Sequence, residues 1–225
     1  MNYEREMRRE RAWYGSSANY KKGNIPMRKL LLQVQMSVDG YMADTQGNTD
    51  WMVWNWGEEW NWDGELRTYH NDLTASVDCI LLSRKMAEEG FIHHWAMMAQ
   101  KHDNPQSGFA SKISAAQKVV FTKTLNQSVW EKTVLAKGDL LEEVTMLKKT
   151  PGSNIIAYGG ATFAASLIAS GLVDEFHLII NPSALGSGLS LFKGTGSPLH
   201  LSLLSSTAYT CGIVVVTYLR KKERL

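Results

Sequence analysis

The sequence predicts a three-layer α/β/α sandwich, with a mixed, mainly parallel sheet covered by helices and finished by an antiparallel C-terminal hairpin. Three observations lead there. Short apolar runs alternate with helical-period segments through most of the chain, the pattern of parallel strands joined by crossover helices. Several of those runs (KLLLQVQ at 29–35, DCILL at 78–82, IIAY at 155–158) are almost continuously apolar, as strands buried on both faces are. Two strand-like runs, 199–204 and 213–219, then follow each other without a helix between them. A chain of 225 residues is long enough to bury a sizeable core.

In chain order, 29–35 reads as a buried strand running into the Asp39-Gly40 turn. Turn residues at 45–49 precede a cluster holding five of the eight tryptophans: Trp51, Trp54, Trp56, Trp60 and Trp62. Residues 63–77 read as a helix, with Leu66, Tyr69, Leu73 and Val77 at helical spacing, Asp63 as N-cap and Glu65 in the first turn. Strand 78–82 leads to a short helix ending near Glu89, and 91–108 reads as irregular and partly helical. Strands at 118–121 and 133–136 precede the best-marked helix, 139–149. There Asp139 and Glu142 form a capping-box pattern, Lys148 and Lys149 sit in the last turn, and Pro151-Gly152 ends the helix. A strand at Ile155 stops at Gly159-Gly160, and a small-residue helix from Ala161 to Ser170 is closed by Gly171. A strand at 175–181, a turn-rich loop at 182–188 and the terminal pair complete the chain.

The net charge is +2 and the basic residues are dispersed, which gives no electrostatic argument for nucleic acid. No apolar run reaches membrane-spanning length, and the first residues lack the apolar core of a secretory signal. The two cysteines, Cys79 and Cys211, each lie in an apolar strand-like run. They read as buried free thiols of a reducing compartment, so the cytoplasm is expected by elimination. Residues 1–26 are charged and polar without apolar periodicity. They read as a weakly ordered extension ahead of a single domain at 27–225, a mis-assigned start and a docking arm being the alternatives.

Strand, glycine turn, helix is the geometry that presents free backbone N–H groups to an anion, and glycine lets the backbone approach a phosphate closely. Gly159, Gly160, Ala161 and Thr162 are therefore candidate phosphate-binding residues, against the plainer reading of a tight turn with no ligand. Arg84 and Lys123 each follow the end of a strand, where ligands of open α/β sheets collect, and Thr122 and Thr124 add hydroxyls. A solvated surface pair is the alternative for the two cations. The tryptophan cluster suits stacking on a planar heterocycle, through Trp51, Trp54 and Trp56 with Asp39 nearby. An interface or core packing explains the same residues. His93, His94, His102 and Asp103 fit no standard zinc spacing, and no metal is expected.

Five motifs in order resemble the dihydrofolate-reductase-like superfamily, and within it the C-terminal reductase domain of bacterial riboflavin biosynthesis proteins. These are Met36-Ser37-Val38-Asp39-Gly40 with Ala43, Leu81-Leu82-Ser83-Arg84, Val119 to Leu125, Gly159-Gly160-Ala161, and Gly171-Leu172-Val173-Asp174-Glu175 followed by Pro182, Leu185-Gly186 and Leu191-Phe192. Ser83 and Met86 stand where that family usually has glycine and threonine. The resemblance implies NADPH as cofactor, with Arg84 and Lys123 on its 2′-phosphate, and a homodimer. It also implies hydride transfer to a small planar heterocycle of pterin or pyrimidine type, or to a related carbonyl or imine. Proton-donor candidates are Glu65, Asp63 and Glu58, for which capping and first-turn charge are the alternative roles. A nucleotide-binding module without turnover is the competing function.

Overall fold

A computed structural model describes residues 27–57, 59–101 and 103–221. The proposed N-terminal extension, Glu58 and His102 lie outside the described residues. The elements are β1 (Leu30–Met36), α1 (Gly64–Ala75), β2 (Val77–Ser83), α2 (Arg84–Glu88), α3 (Phe91–Met98), α4 (Ser107–Ala115), β3 (Gln117–Phe121), β4 (Thr133–Ala136), α5 (Leu140–Lys149), β5 (Asn154–Tyr158), α6 (Ala161–Ala169), β6 (Glu175–Ile180), β7 (Leu201–Ala208) and β8 (Val214–Arg220). The eight strands form one sheet in the order β4-β3-β2-β5-β1-β6-β8-β7. All pairs from β4 to β6 are parallel, and β6-β8 and β7-β8 are antiparallel.

Side-chain alternation along the strands divides the core in two. Leu31, Ile80, Leu82, Val120 and Ile156 face α1, α3 and α4, while Leu30, Leu32, Leu81, Val119 and Ile155 face α5 and α6. The apolar strands are thus buried on both faces, as the continuous runs in the sequence require. Two differences from expectation stand out. Residues 91–108 are more ordered than their composition suggests, because Phe91, Ile92, Trp95 and Met98 bury one face of α3 against the sheet and α4 covers them. Cys211 is not in a strand. It is half-buried in the turn between β7 and β8, while Cys79 is buried in β2, and both are free thiols. Among the described residues no helix is long and apolar enough to cross a membrane.

Asp63 and Asp139 cap α1 and α5 as expected, accepting from Leu66 N and from Leu141 N and Glu142 N. The long segment between β1 and α1 is strapped to the sheet by fully buried Asn181. Its Oδ1 accepts from Val53 N at 2.9 Å, and its Nδ2 donates to Gln35 Oε1 at 3.3 Å. That strap holds the tryptophans over the carboxyl ends of the central strands.

Candidate active site at the carboxyl ends of the central strands

A cavity of about 770 Å³ opens where β1, β2 and β5 end. It lies where the chain reverses its order across the sheet: β1 neighbours β5 on one side and β6 on the other. One wall is the turn after β5. Gly159, Gly160, Ala161 and Thr162 all line the cavity, and α6 begins there with Gly160 as N-cap and no side-chain cap. The first-turn N–H groups of a helix have no intrahelical acceptor, so an uncapped start is an anion-binding surface.

The two glycines differ. A Cβ on Gly159 would meet the Phe163 ring at 2.6 Å, whereas a Cβ on Gly160 would meet nothing within 4 Å. Gly160 has an extended backbone (φ −69°), so neither conformation nor protein contact accounts for its missing side chain. Open space at an uncapped N-terminus is what a bound phosphate would occupy. The residues present therefore fit a dinucleotide's pyrophosphate.

The opposite wall is aromatic. Trp54, Trp62, His70, Phe109 and Trp95 line the cavity and close on one another. Successive ring-centroid distances are 4.9, 5.1, 4.3, 4.6 and, back to Trp54, 6.2 Å. Burial pushes the His70 imidazole down to about 3, so it is neutral at physiological pH. Trp62 Nε1, Trp95 Nε1 and His70 Nδ1 are buried without a hydrogen-bond partner among the described residues. Each unpaired buried indole N–H costs about 1–3 kcal/mol. Trp56 sits at the rim with φ 58°, a left-handed backbone that a bulky residue seldom adopts, and its ring packs edge-on against Phe91 at 5.2 Å.

Tyr158 also lines the cavity, its ring 5.4 Å from Phe91, and its Oη donates to Gln33 Oε1 at 2.8 Å. Burial pushes its phenol well above the usual range. Neither Tyr158 nor His70 is singled out by sequence. Tyr158 immediately precedes the glycine pair, which was a usable signal, whereas His70 is one polar residue on a helix.

The remaining candidates take other places. Asp63 does not line the cavity. Its two oxygens accept from Leu66 N, Thr210 Oγ1 and Cys211 N, and these donors hold its carboxyl below the usual range. Glu65 is exposed outside the lining. Asp39 is likewise off the wall, accepting from Ser37 Oγ and from Leu185 N and Gly186 N, so it ties two loops together. Trp51 donates to Asn48 O and stays outside, whereas Trp54 and Trp56 line the cavity. Trp54 is also core, so pocket lining and core packing coincide in it. Arg84 pairs with Glu88 at 2.5 Å, and it is its neighbour Lys85 that reaches the cavity rim. Lys123 Nζ donates to Lys137 O and Gly138 O, and Thr122 Oγ1 accepts from Thr124 N and Leu125 N. These four lie along the ends of β2 and β3, beside the cavity and outside its lining. Ser83, at the usual glycine position, caps α2 by accepting from Met86 N.

A family model for the RibD C-terminal domain matches residues 28–215. The chain belongs to the RibD C-terminal domain family. Within reach of that family, it is 28% identical to the uncharacterized protein YyaP of Bacillus subtilis over 197 residues, 87% of this chain and 96% of that one. The family fold is also seen in a putative riboflavin biosynthesis protein from Shewanella sp. PV-4, with TM-score 0.61 and 22% identity, over 86% of this chain and 99% of that one. Dihydrofolate reductase from Enterococcus faecalis, complexed with NADP(H), matches with TM-score 0.53 and 11% identity, over 86% of this chain and 97% of that one. The RibD C-terminal match and these neighbours make the fold dihydrofolate-reductase-like, as the five motifs imply.

Proposed function

We propose that the chain is an NADPH-dependent reductase of a small planar heterocycle or a related carbonyl or imine. The observation that carries this is the uncapped α6 N-terminus, with open space at Gly160, facing an aromatic wall across one cavity. A dinucleotide needs the first and a planar hydride acceptor needs the second. The fold-mate complexed with NADP(H) supports the choice of cofactor.

A nicotinamide cofactor supplies hydride when bound. Ala161 and Thr162 would donate backbone N–H groups to its pyrophosphate, and Lys85 would add a cation at the rim. Arg84, Lys123, Thr122 and Thr124, along the neighbouring strand ends, would receive the 2′-phosphate. Reduction also needs a proton. Asp63 is held ionised by its donors, and Glu65 lies off the wall. Tyr158, which carries a phenolic proton beside the glycine turn, is assigned that role, with water restoring the proton.

Titration of the tryptophan fluorescence with NADPH and NADH tests the reading. Saturable quenching that favours NADPH is expected, followed by NADPH oxidation with a planar acceptor. Tyr158→Phe should lower turnover by about 10²-fold with NADPH affinity unchanged. Absence of saturable quenching by either nucleotide would sink the reductase. Tight NADPH binding without oxidation of any acceptor would favour a nucleotide-binding module instead.

A further inference from the structure

Two groups of anion-binding residues flank the cavity, and the fold leaves only one of them open. At α6 the first turn has no internal partner: Gly160 is an N-cap without a side-chain bond, and a Cβ there would meet nothing. At α2 the cations and the Met86 N–H are engaged within the protein. Ser83 Oγ accepts from Met86 N at 3.2 Å, so this short helix is capped from inside. Arg84 Nη1 donates to Glu88 Oε2 at 2.5 Å, one turn along, and Lys85 pairs with Glu89 at 3.5 Å in the same way. Ser83 is in register with Phe121, so the residues that follow them, Arg84 and Thr122, stand side by side at the strand ends. There too the groups are taken. Lys123 Nζ donates to Lys137 O and Gly138 O, both at 2.7 Å, and Thr122 Oγ1 accepts from Thr124 N and Leu125 N.

The pyrophosphate assigned to α6 is common to NADH and NADPH. The 2′-phosphate assigned to Arg84 and its neighbours belongs to NADPH alone. Selectivity thus falls on a cation that already has a carboxylate. We propose that Glu88 is the specificity-determining residue of the cofactor site: acting through Arg84, it keeps the preference for NADPH over NADH low, and the chain accepts both. A guanidinium bound to a carboxylate must leave it to grip a phosphate, and the carboxylate stays one helical turn away, repelling the incoming anion. That carboxylate also suits a ribose 2′-hydroxyl, the pairing by which acidic residues favour NADH. Arg84 and Glu88 are 46% and 39% exposed, so the pair is loose enough to exchange, and NADPH is weakened without being excluded. Glu89 provides the contrast. Its partner Lys85 lines the cavity on the pyrophosphate side of the assignment, so its charge bears on both nucleotides alike. The proposal rests on the reductase reading only for the binding of a nicotinamide dinucleotide, and it requires no turnover.

Fluorescence titration of the full chain with NADPH and with NADH reads the ratio of the two dissociation constants. At an ionic strength of about 0.15 M only short-range charge effects persist. Wild type should favour NADPH by less than about tenfold. Glu88→Gln removes the charge and keeps the size of the side chain. It should tighten NADPH by about threefold to fivefold, the effect of a unit charge about 4 Å away in water, and leave NADH within about twofold. Arg84→Ala should cost NADPH more in the Glu88→Gln background than in wild type, because the two residues act as a pair. Glu89→Gln should shift both nucleotides by the same factor. A wild-type preference above about tenfold, a Glu88→Gln variant that moves both nucleotides equally or neither, or additive effects of Arg84→Ala and Glu88→Gln would overturn the proposal. The two readings fail separately. NADPH binding with an unaltered ratio in Glu88→Gln removes the role of Glu88 and leaves the cofactor, whereas binding of neither nucleotide removes the cofactor and this role with it.

Discussion

Gly159 and Gly160 are adjacent and lack a side chain for opposite reasons, one internal to the fold and one not. Gly159→Ala would drive a methyl into the Phe163 ring, which itself packs on Phe121 at 5.6 Å. About 1–3 kcal/mol of stability should be lost, read from the urea midpoint. Gly160→Ala meets nothing, and its backbone suits alanine. Stability should hold or rise slightly, while NADPH affinity falls by about tenfold or more, because the methyl enters the space assigned to phosphate. An unchanged Kd for Gly160→Ala would count directly against the pyrophosphate assignment. The glycine pair was legible in sequence because both residues end an apolar run. Which of the two faces a ligand was not, since that depends on where Phe163 points. The same limit separates Arg84 from Lys85. Both follow β2, but adjacent positions on a helix point about 100° apart, so only Lys85 reaches the cavity.

At the scale of elements, the strap between β1 and α1 depends on Asn181 at the end of β6. Asn181→Ala would leave Val53 N and Gln35 Oε1 without their partner. A loss of about 1–3 kcal/mol is expected, together with faster proteolysis within residues 45–57 than elsewhere; uniform susceptibility along the chain would show that the strap is held by other contacts. Most elements were readable from capping and periodicity: Asp139 marks the start of α5, and Asp63 that of α1. The helices in 91–115 were less so. They carry no side-chain N-cap bond, and they are held by burial of Phe91, Trp95 and Phe109 against residues far off in sequence. His70 entered the site the same way, as part of the buried face of α1.

The whole molecule couples acidity to stability through groups on one face of the sheet. His70 is neutral and buried in the fold, with its proton affinity depressed from 6.5 to about 3. Between those values the unfolded chain binds a proton that the folded chain does not. Stability should therefore fall as pH drops below 6.5, by about 1.4 kcal/mol per pH unit for this one group. Glu175 is held below the usual carboxylate range, first by its hydrogen bond to His177 and then by Lys29. Its contribution is present above its unfolded value of 4.5 and is lost as pH falls through its lower folded value. Urea midpoints measured from pH 7 to 5 report the histidines whose proton affinity burial lowers, His70 and the partly buried His94, and His70→Gln should reduce that slope. A slope retained in the variant would assign it to other groups. Sheet order has a separate consequence during synthesis. β5 lies between β1 and β2, with Leu30 opposite Ile155 and Cys79 opposite that same residue. Until Tyr158 has left the ribosome, the first two strands have no common neighbour, and their inward edges stay open to any other extended chain. Nascent chains stalled before β5 should thus be cut by protease throughout, whereas chains extended past β8 should resist. The strand that joins β1 to β2 is made only after β3 and β4, so termination ahead of it leaves a chain with exposed pairing edges rather than a smaller folded protein.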